Sequence, residues 1–154
     1  MAIVQRLQHY LEENRIPYRT SHHPEAFTSQ EVAAASHVSG RHLAKVVLVK
    51  GAEGLAMAVL PTTRHVNLGK LKALMQVSEL ALAKEEEFAP RVPDCRPGTV
   101  PPFGNLYGLK VYVDAEIARQ PELVFQAGTH EDMASLAYLH FARLVQPVVG
   151  DISG

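Results

Sequence analysis

Two apolar runs stand almost back to back in the chain: Lys45 to Lys50 reads KVVLVK, and Gly54 to Leu60 reads GLAMAVL. Valine, leucine and methionine in unbroken runs of this length suit a pleated strand, and the Gly-containing stretch between them suits a turn. The pair is expected to form a hairpin, buried on both faces near its centre. A hairpin of that kind needs cover, and the rest of the chain supplies it in short pieces. Ala2 to Asn14 places Ile3, Val4, Leu7, Tyr10 and Leu11 at spacings of three, four and seven, a helical stripe. Pro17 ends that helix and lets Tyr18 to Ser21 run extended. TSQE at Thr28 is a capping box with Glu31 three positions on, so a short helix is expected from there to about Gly40.

Further along, Asn67 is placed to cap LGKLKALM, and Glu79 to Ala83 is read as a strand. Lys110 to Asp114 and Leu123 to Gln126 are further strands, and Met133 to Val145 gives a strand followed by a helix carrying Phe141, Leu144 and Val145. The sum is an α+β domain: a mixed sheet of about six or seven strands with short surrounding helices. No linker or repeat divides the chain, so residues 1–154 are read as a single domain, long enough to bury about 68–70% of its unfolded surface. The single cysteine, Cys95, has no partner for a disulfide. No apolar run reaches the length of a membrane span, and MAIVQRLQHYLEEN lacks the pattern of a signal peptide. A soluble, cytoplasmic protein with no membrane association is expected.

Net charge is -1, which argues against a whole-surface polyanion binder, yet the charge is unevenly spread. Residues 41–72 hold Arg41, Lys45, Lys50, Arg64, Lys70 and Lys72 against Glu53, a local +5, while residues 111–154 sum to -4. Either one side of the molecule attracts a polyanion, or the two segments mix on the folded surface and cancel.

Lys45 is the first candidate for chemistry. At the head of an apolar strand its stem lies along the core edge, and its ammonium either snorkels to solvent or points into a cleft as a compact charge for a phosphate or developing oxyanion. The second is DCRPGTVPPFGNLYG, Asp94 to Gly108, where three prolines and three glycines stiffen a loop and permit close approach to a ligand. It is neither a P-loop nor a dinucleotide fingerprint, and an irregular structural crossover explains it equally well. The eight histidines, at 9, 22, 23, 37, 42, 65, 130 and 140, show no HExxH spacing, and no metal site or cofactor is expected. His130 stands out because it follows a strand and Gly128; a local cap by Thr129 and Asp132 is the competing explanation. Cys95 beside Arg96 would be a weak nucleophile with no specified base, and GxSxG is absent.

Taken in order, Lys45 heading KVVLVK, GTVPPFG at Gly98 to Gly104, and AGTH at Ala127 to His130 resemble the YbaK and prolyl-tRNA synthetase associated editing-domain family over nearly the full chain. That resemblance implies a strongly twisted mixed sheet and hydrolysis of the ester that joins an amino acid to the terminal adenosine of tRNA. It implies that Lys45 anchors the terminal phosphate or ribose, that the Gly98 backbone positions the carbonyl and an attacking water, and that His130, after Gly128, contacts or size-selects the amino acid. Pro101, Pro102 and Phe103 would stiffen the loop and bound the side-chain pocket, and Thr28 would face that pocket. The implied partners are the tRNA acceptor end and prolyl-tRNA synthetase or another translation factor. Small residues beside the loop favour alanine, with serine or cysteine behind it, on proline-specific tRNA. A non-catalytic tRNA- or synthetase-binding domain and, further off, a metal-assisted hydrolase are the alternatives.

Overall fold

The computed structural model describes residues 4–22, 42–96 and 98–154. In chain order the elements are helix α1 (Gln5–Glu13), strands β1 (Arg19–His22), β2 (Leu43–Gly51) and β3 (Gly54–Pro61), helix α2 (Leu68–Met75), strand β4 (Leu80–Leu82), and helix α3 (Glu85–Phe88). There follow strand β5 (Val111–Asp114), helix α4 (Ala115–Ala118), strands β6 (Glu122–Gln126) and β7 (Asp132–Ala137), helix α5 (Tyr138–Val145) and strand β8 (Val148–Gly150). The helix expected after Thr28, and Thr28 itself, lie outside the described residues.

The hairpin forms as expected and occupies the middle of the sheet. β2 and β3 pair antiparallel from Ala44↔Pro61 to Gly51↔Gly54. Outward from it the order is β1-β7-β6-β2-β3-β5-β8, with β4 also on β2, eight strands in all. The pairs β2·β6, β3·β5 and β5·β8 are parallel and the others antiparallel, a mixed sheet in an α+β domain. The strand missing from the sequence-based expectation is β8, three residues long, too short to show a periodicity. Asn67 caps α2 as its position suggests, its Oδ1 accepting from Lys70 N at 3.0 Å.

Alternation along β2 divides the core. Ala44, Val46 and Leu48 join the larger cluster with Leu7 and Leu11 of α1, Phe103, Phe125 and Phe141, whereas Val47 and Val49 join Leu71 of α2, Tyr112 and Ile152 on the opposite face. Phe103 sits at the heart of the larger cluster, fully buried. Its ring centroid is 5.3 Å from Phe141 and 6.3 Å from Tyr10, both edge-to-face, and 5.7 Å from Phe125. One residue thus ties α1, β6 and α5 to the Pro/Gly-rich loop. Replacing it with alanine is expected to cost about 3–5 kcal/mol by chemical denaturation, the range for a buried aromatic; a loss below about 1 kcal/mol would mean the loop is not anchored through this ring.

Candidate functional site

The site begins with an interruption in hydrogen bonding. One edge of β2 is shared by two strands: β6 takes Leu43 and Ala44, and β4 takes Val49 to Gly51. Lys45, Val46 and Val47 have no strand partner on that edge, and the Leu48 carbonyl accepts from Ala83 N at 2.9 Å. A cleft of about 230 Å³ opens there, lined by Val46, Val47, Leu48, Leu82, Ala83, Phe88, Gly98 and Val100. Lys45 is therefore the residue at which the sheet splits.

Gly98 reaches the cleft on a tight turn. Thr99 N donates to Arg96 O at 3.1 Å, and Gly98 has φ of 79°, in the left-handed region that favours glycine. A β-carbon on Gly98 would meet nothing within 4 Å, so glycine is needed here for its backbone angle rather than for space. The turn is locked to the β6–β7 connection by two backbone bonds: Arg96 N donates to Gly128 O at 3.2 Å, and Gly128 N donates to Thr99 O at 2.9 Å. Gly128, at φ 102°, has both constraints, since a β-carbon there would lie 2.9 Å from the Val4 Cβ. The start of α1 closes over it, with Val4 N donating to Ala127 O at 2.9 Å.

His130 lies two residues beyond Gly128 and is buried. Its turn is organised by Thr129, whose Oγ1 donates to Asp132 Oδ2 at 2.6 Å and accepts from Glu131 N at 3.2 Å. Thr129 and Asp132 thus form the local cap that sequence spacing suggested. Asp132 also faces His22 Nδ1 at 3.1 Å, which fastens the end of β1 to this turn. Gly98, Gly128 and the His130 turn are consequently one hydrogen-bonded unit; Lys45 stands one residue before Val46, Val47 and Leu48 of the opposite wall and does not itself line the cleft. Pro101, Pro102 and Phe103 are buried beneath the loop, and none of the three lines the Gly98 cleft. They support it from the core side.

Electrostatics single out Lys45. It is half-buried, and burial lowers its pKa below the ordinary lysine value. No carboxylate among the described residues pairs with it, whereas three other cations of its segment are paired: Lys50 with Glu87, Arg64 with Glu116 at 3.2 Å and Lys70 with Asp151 at 2.9 Å. Half of the +5 stretch is thereby neutralised, twice by residues of the acidic tail, so much of the segmental asymmetry cancels on folding. Cys95 is a structural thiol. Its Sγ lies 3.2 Å from the Tyr107 hydroxyl, and burial pushes its pKa up to about 11. The charged groups beside it are Asp94 and Arg6, themselves paired at 3.2 Å, so the expected help from Arg96 is not what sets this thiol's chemistry. No group of three or more His, Cys, Asp or Glu among the described residues is arranged to hold a metal ion. Sequence reasoning passed over Gln126, whose buried side-chain nitrogen has no hydrogen-bond partner.

Comparison with known proteins places this geometry. A family model described as the aminoacyl-tRNA editing domain matches residues 23–144. A proline–tRNA ligase of Thermosipho africanus (strain TCF52B) is 35% identical over 65 residues, which are 42% of this chain and 12% of that enzyme. This chain therefore corresponds to a small part of that relative. Among solved structures, a candidate trans-editing enzyme for prolyl tRNA synthetase superimposes with a TM-score of 0.84 at 22% identity, covering 98% of this chain and 96% of that one. Hypothetical protein APE2540 superimposes with a TM-score of 0.88 at 19% identity, covering 97% and 100%. Both share the fold.

The raised Cys95 pKa has a direct consequence. At pH 8 its thiolate fraction is about 100-fold below that of an ordinary thiol, so iodoacetamide should modify it at least about 100-fold more slowly than free cysteine. Labelling at the rate of free cysteine would show that the thiol is neither buried nor held by Tyr107.

Proposed function

The chain belongs to the aminoacyl-tRNA editing domain family, and from that membership we propose that it is a trans-acting deacylase that hydrolyses the ester between a wrongly attached amino acid and the terminal adenosine of tRNA. The observation that carries the proposal is Lys45: a desolvated ammonium without a carboxylate partner, at the break in the β2 edge and beside the cleft that Gly98 enters. Leaving a charge half-buried and unpaired is unfavourable, and a substrate that brings the missing negative or polar oxygen relieves it.

In this mechanism Lys45 binds the phosphate or ribose end of the terminal nucleotide and orients the ester. The backbone at Gly98, free of a side chain, holds the aminoacyl carbonyl and an attacking water. Water adds to the carbonyl carbon, the bond from that carbon to the ribose oxygen breaks, and the departing ribose oxygen takes up a proton as the amino acid leaves as its carboxylate. A neighbouring hydroxyl of the terminal ribose assists the proton transfer, in keeping with the lack of a persuasive general base among the motifs of the sequence. His130, held by the same turn as Gly128, bounds the amino acid, and Thr28 would complete the pocket. The small residues beside the loop favour a small amino acid, alanine first, on proline-specific tRNA, which makes the protein a cytoplasmic companion of prolyl-tRNA synthetase that engages the acceptor end of tRNA.

Purified protein incubated with alanyl, seryl, cysteinyl and threonyl esters of tRNA should release alanine fastest, and equal inactivity on all four would remove this class of activity. Lys45→Ala should lower turnover about 100-fold or more, the scale of losing one preorganised charge contact. Retained tRNA association without ester loss in the wild type would instead mark an accessory binding domain.

The acid–base behaviour is also specified. Lys45 acts as the cation, and its pKa is depressed, so the corrected rate should fall as pH rises through a value below that of an ordinary lysine. Lys45→Arg, where it retains activity, should move that alkaline limb upward. A limb unchanged by arginine would assign the ionisation to another group.

A further inference from the structure

Gln126 ends β6 one residue past its last position paired with β2. On that parallel ladder Ala44 stands beside Phe125, so Lys45 and Gln126 are the next residues along their two strands. Ala44 and Phe125 both belong to the α1-side core, and alternation turns Lys45 and Gln126 together to the opposite face. The Gln126 Nε2 is buried without a hydrogen-bond partner, and Lys45 has no carboxylate partner among the described residues. Two donors therefore occupy neighbouring strand positions where the sheet parts, and no described residue supplies an acceptor to the amide nitrogen or a carboxylate to the ammonium. A buried, unsatisfied amide destabilises a protein, and an apolar residue of the same length would avoid the loss. On the same face a second cavity, of about 300 Å³, opens beside Gln126: its lining includes Val124, two residues earlier on β6, and Met133, the residue opposite Gln126 on β7. Gln126 is not itself among the residues that line this cavity; its position on β6 lies between Lys45 on β2 and Met133 of the cavity wall on β7.

We propose that Gln126 is a substrate-binding residue whose side-chain N–H₂ donates to an oxygen of the terminal aminoacyl-adenosine, beside the Lys45 ammonium. The proposal rests on the deacylase assignment and deepens it. Lysine offers a point charge, whereas the amide donor is planar and directional, so the pair orients an oxygen as well as attracting it.

The test uses two isosteric replacements and two probes that cannot be hydrolysed: an amide-linked alanyl-adenosine without phosphate, and adenosine monophosphate. Gln126→Met should raise the melting temperature by about 2–4 °C, because it removes the unsatisfied amide, while weakening at least one probe about 10-fold by calorimetry. Gln126→Glu keeps the shape and the acceptor but has no donor, and it should lose binding at least as far. Loss for the alanyl probe alone assigns the contact to the acyl oxygen, and loss for both assigns it to the nucleoside. Unchanged affinity in Gln126→Met, full affinity in Gln126→Glu, lowered melting temperature together with lowered affinity in Gln126→Met, or wild-type protein that binds neither probe would each overturn the proposal. A wild-type protein that binds the alanyl probe through Gln126 yet hydrolyses no ester would defeat the deacylase assignment and leave this contact standing.

Discussion

Two strands share one edge of β2 without meeting, and the geometry of the site follows from that division. β6 holds the beginning of the edge and β4 its end. Backbone groups in a sheet interior are ordinarily paired, so an interruption persists only where other structure holds the flanking strands apart. Here the holder is the turn at residues 96–99, fixed to Gly128 by two backbone hydrogen bonds and backed by the buried ring of Phe103. The start of α1 packs on Gly128, and Arg6 reaches the same region through Asp94, the Leu106 carbonyl and the face of Tyr107. The cleft is thus braced from three directions.

What could be read in advance divides along physical lines. The hairpin, α1, the Asn67 cap and the strand-then-helix order of the tail were legible because each has a local pattern several residues long. The short elements were not: β8, α3 and α4 run three or four residues and owe their form to neighbours, as β8 does to β5. Gly98 was legible through its prolines and glycines, and Lys45 through a charge in an apolar run. Phe103 was harder, since residues in an irregular loop have no face that sequence alone assigns, and the structure puts its ring in the core. Gln126 carried no signal at all. A glutamine at a strand end is unremarkable until its nitrogen is found buried without an acceptor.

Charge shows the same dependence on assembly. Along the chain, a +5 segment and a -4 segment suggested two unlike surfaces. In the fold, Arg64 meets Glu116 and Lys70 meets Asp151, so two of the six cations of the first segment are answered by the second. Exposed pairs of this kind contribute little to stability, about 0–1 kcal/mol each, and their larger effect is on the field: they remove broad attraction and leave the contribution of Lys45 local. A protein of net charge -1 then has little reason to grip a tRNA along its length.

That locality bears on why the unfavourable groups are tolerated. Burial acts against the Lys45 ammonium and leaves the Gln126 amide without a partner, and both would be stabilised by apolar replacement. Stability lost at a few positions is a common accompaniment of a working site, because groups already satisfied by the protein have little left to offer a ligand. Gln126 and Lys45 differ from Lys50 and Lys70 in this respect: the latter have carboxylates at hand, whereas no described residue offers the Gln126 nitrogen an acceptor or Lys45 a carboxylate where β6 and β4 part on β2. An oxygen-bearing ligand entering there would replace water that is already largely excluded, so its hydrogen bonds would form in a medium of low dielectric and carry more weight than the same contacts on the surface. Under the proposed function, selectivity for an acceptor-rich acyl-nucleoside would then be concentrated in the few donors at this opening.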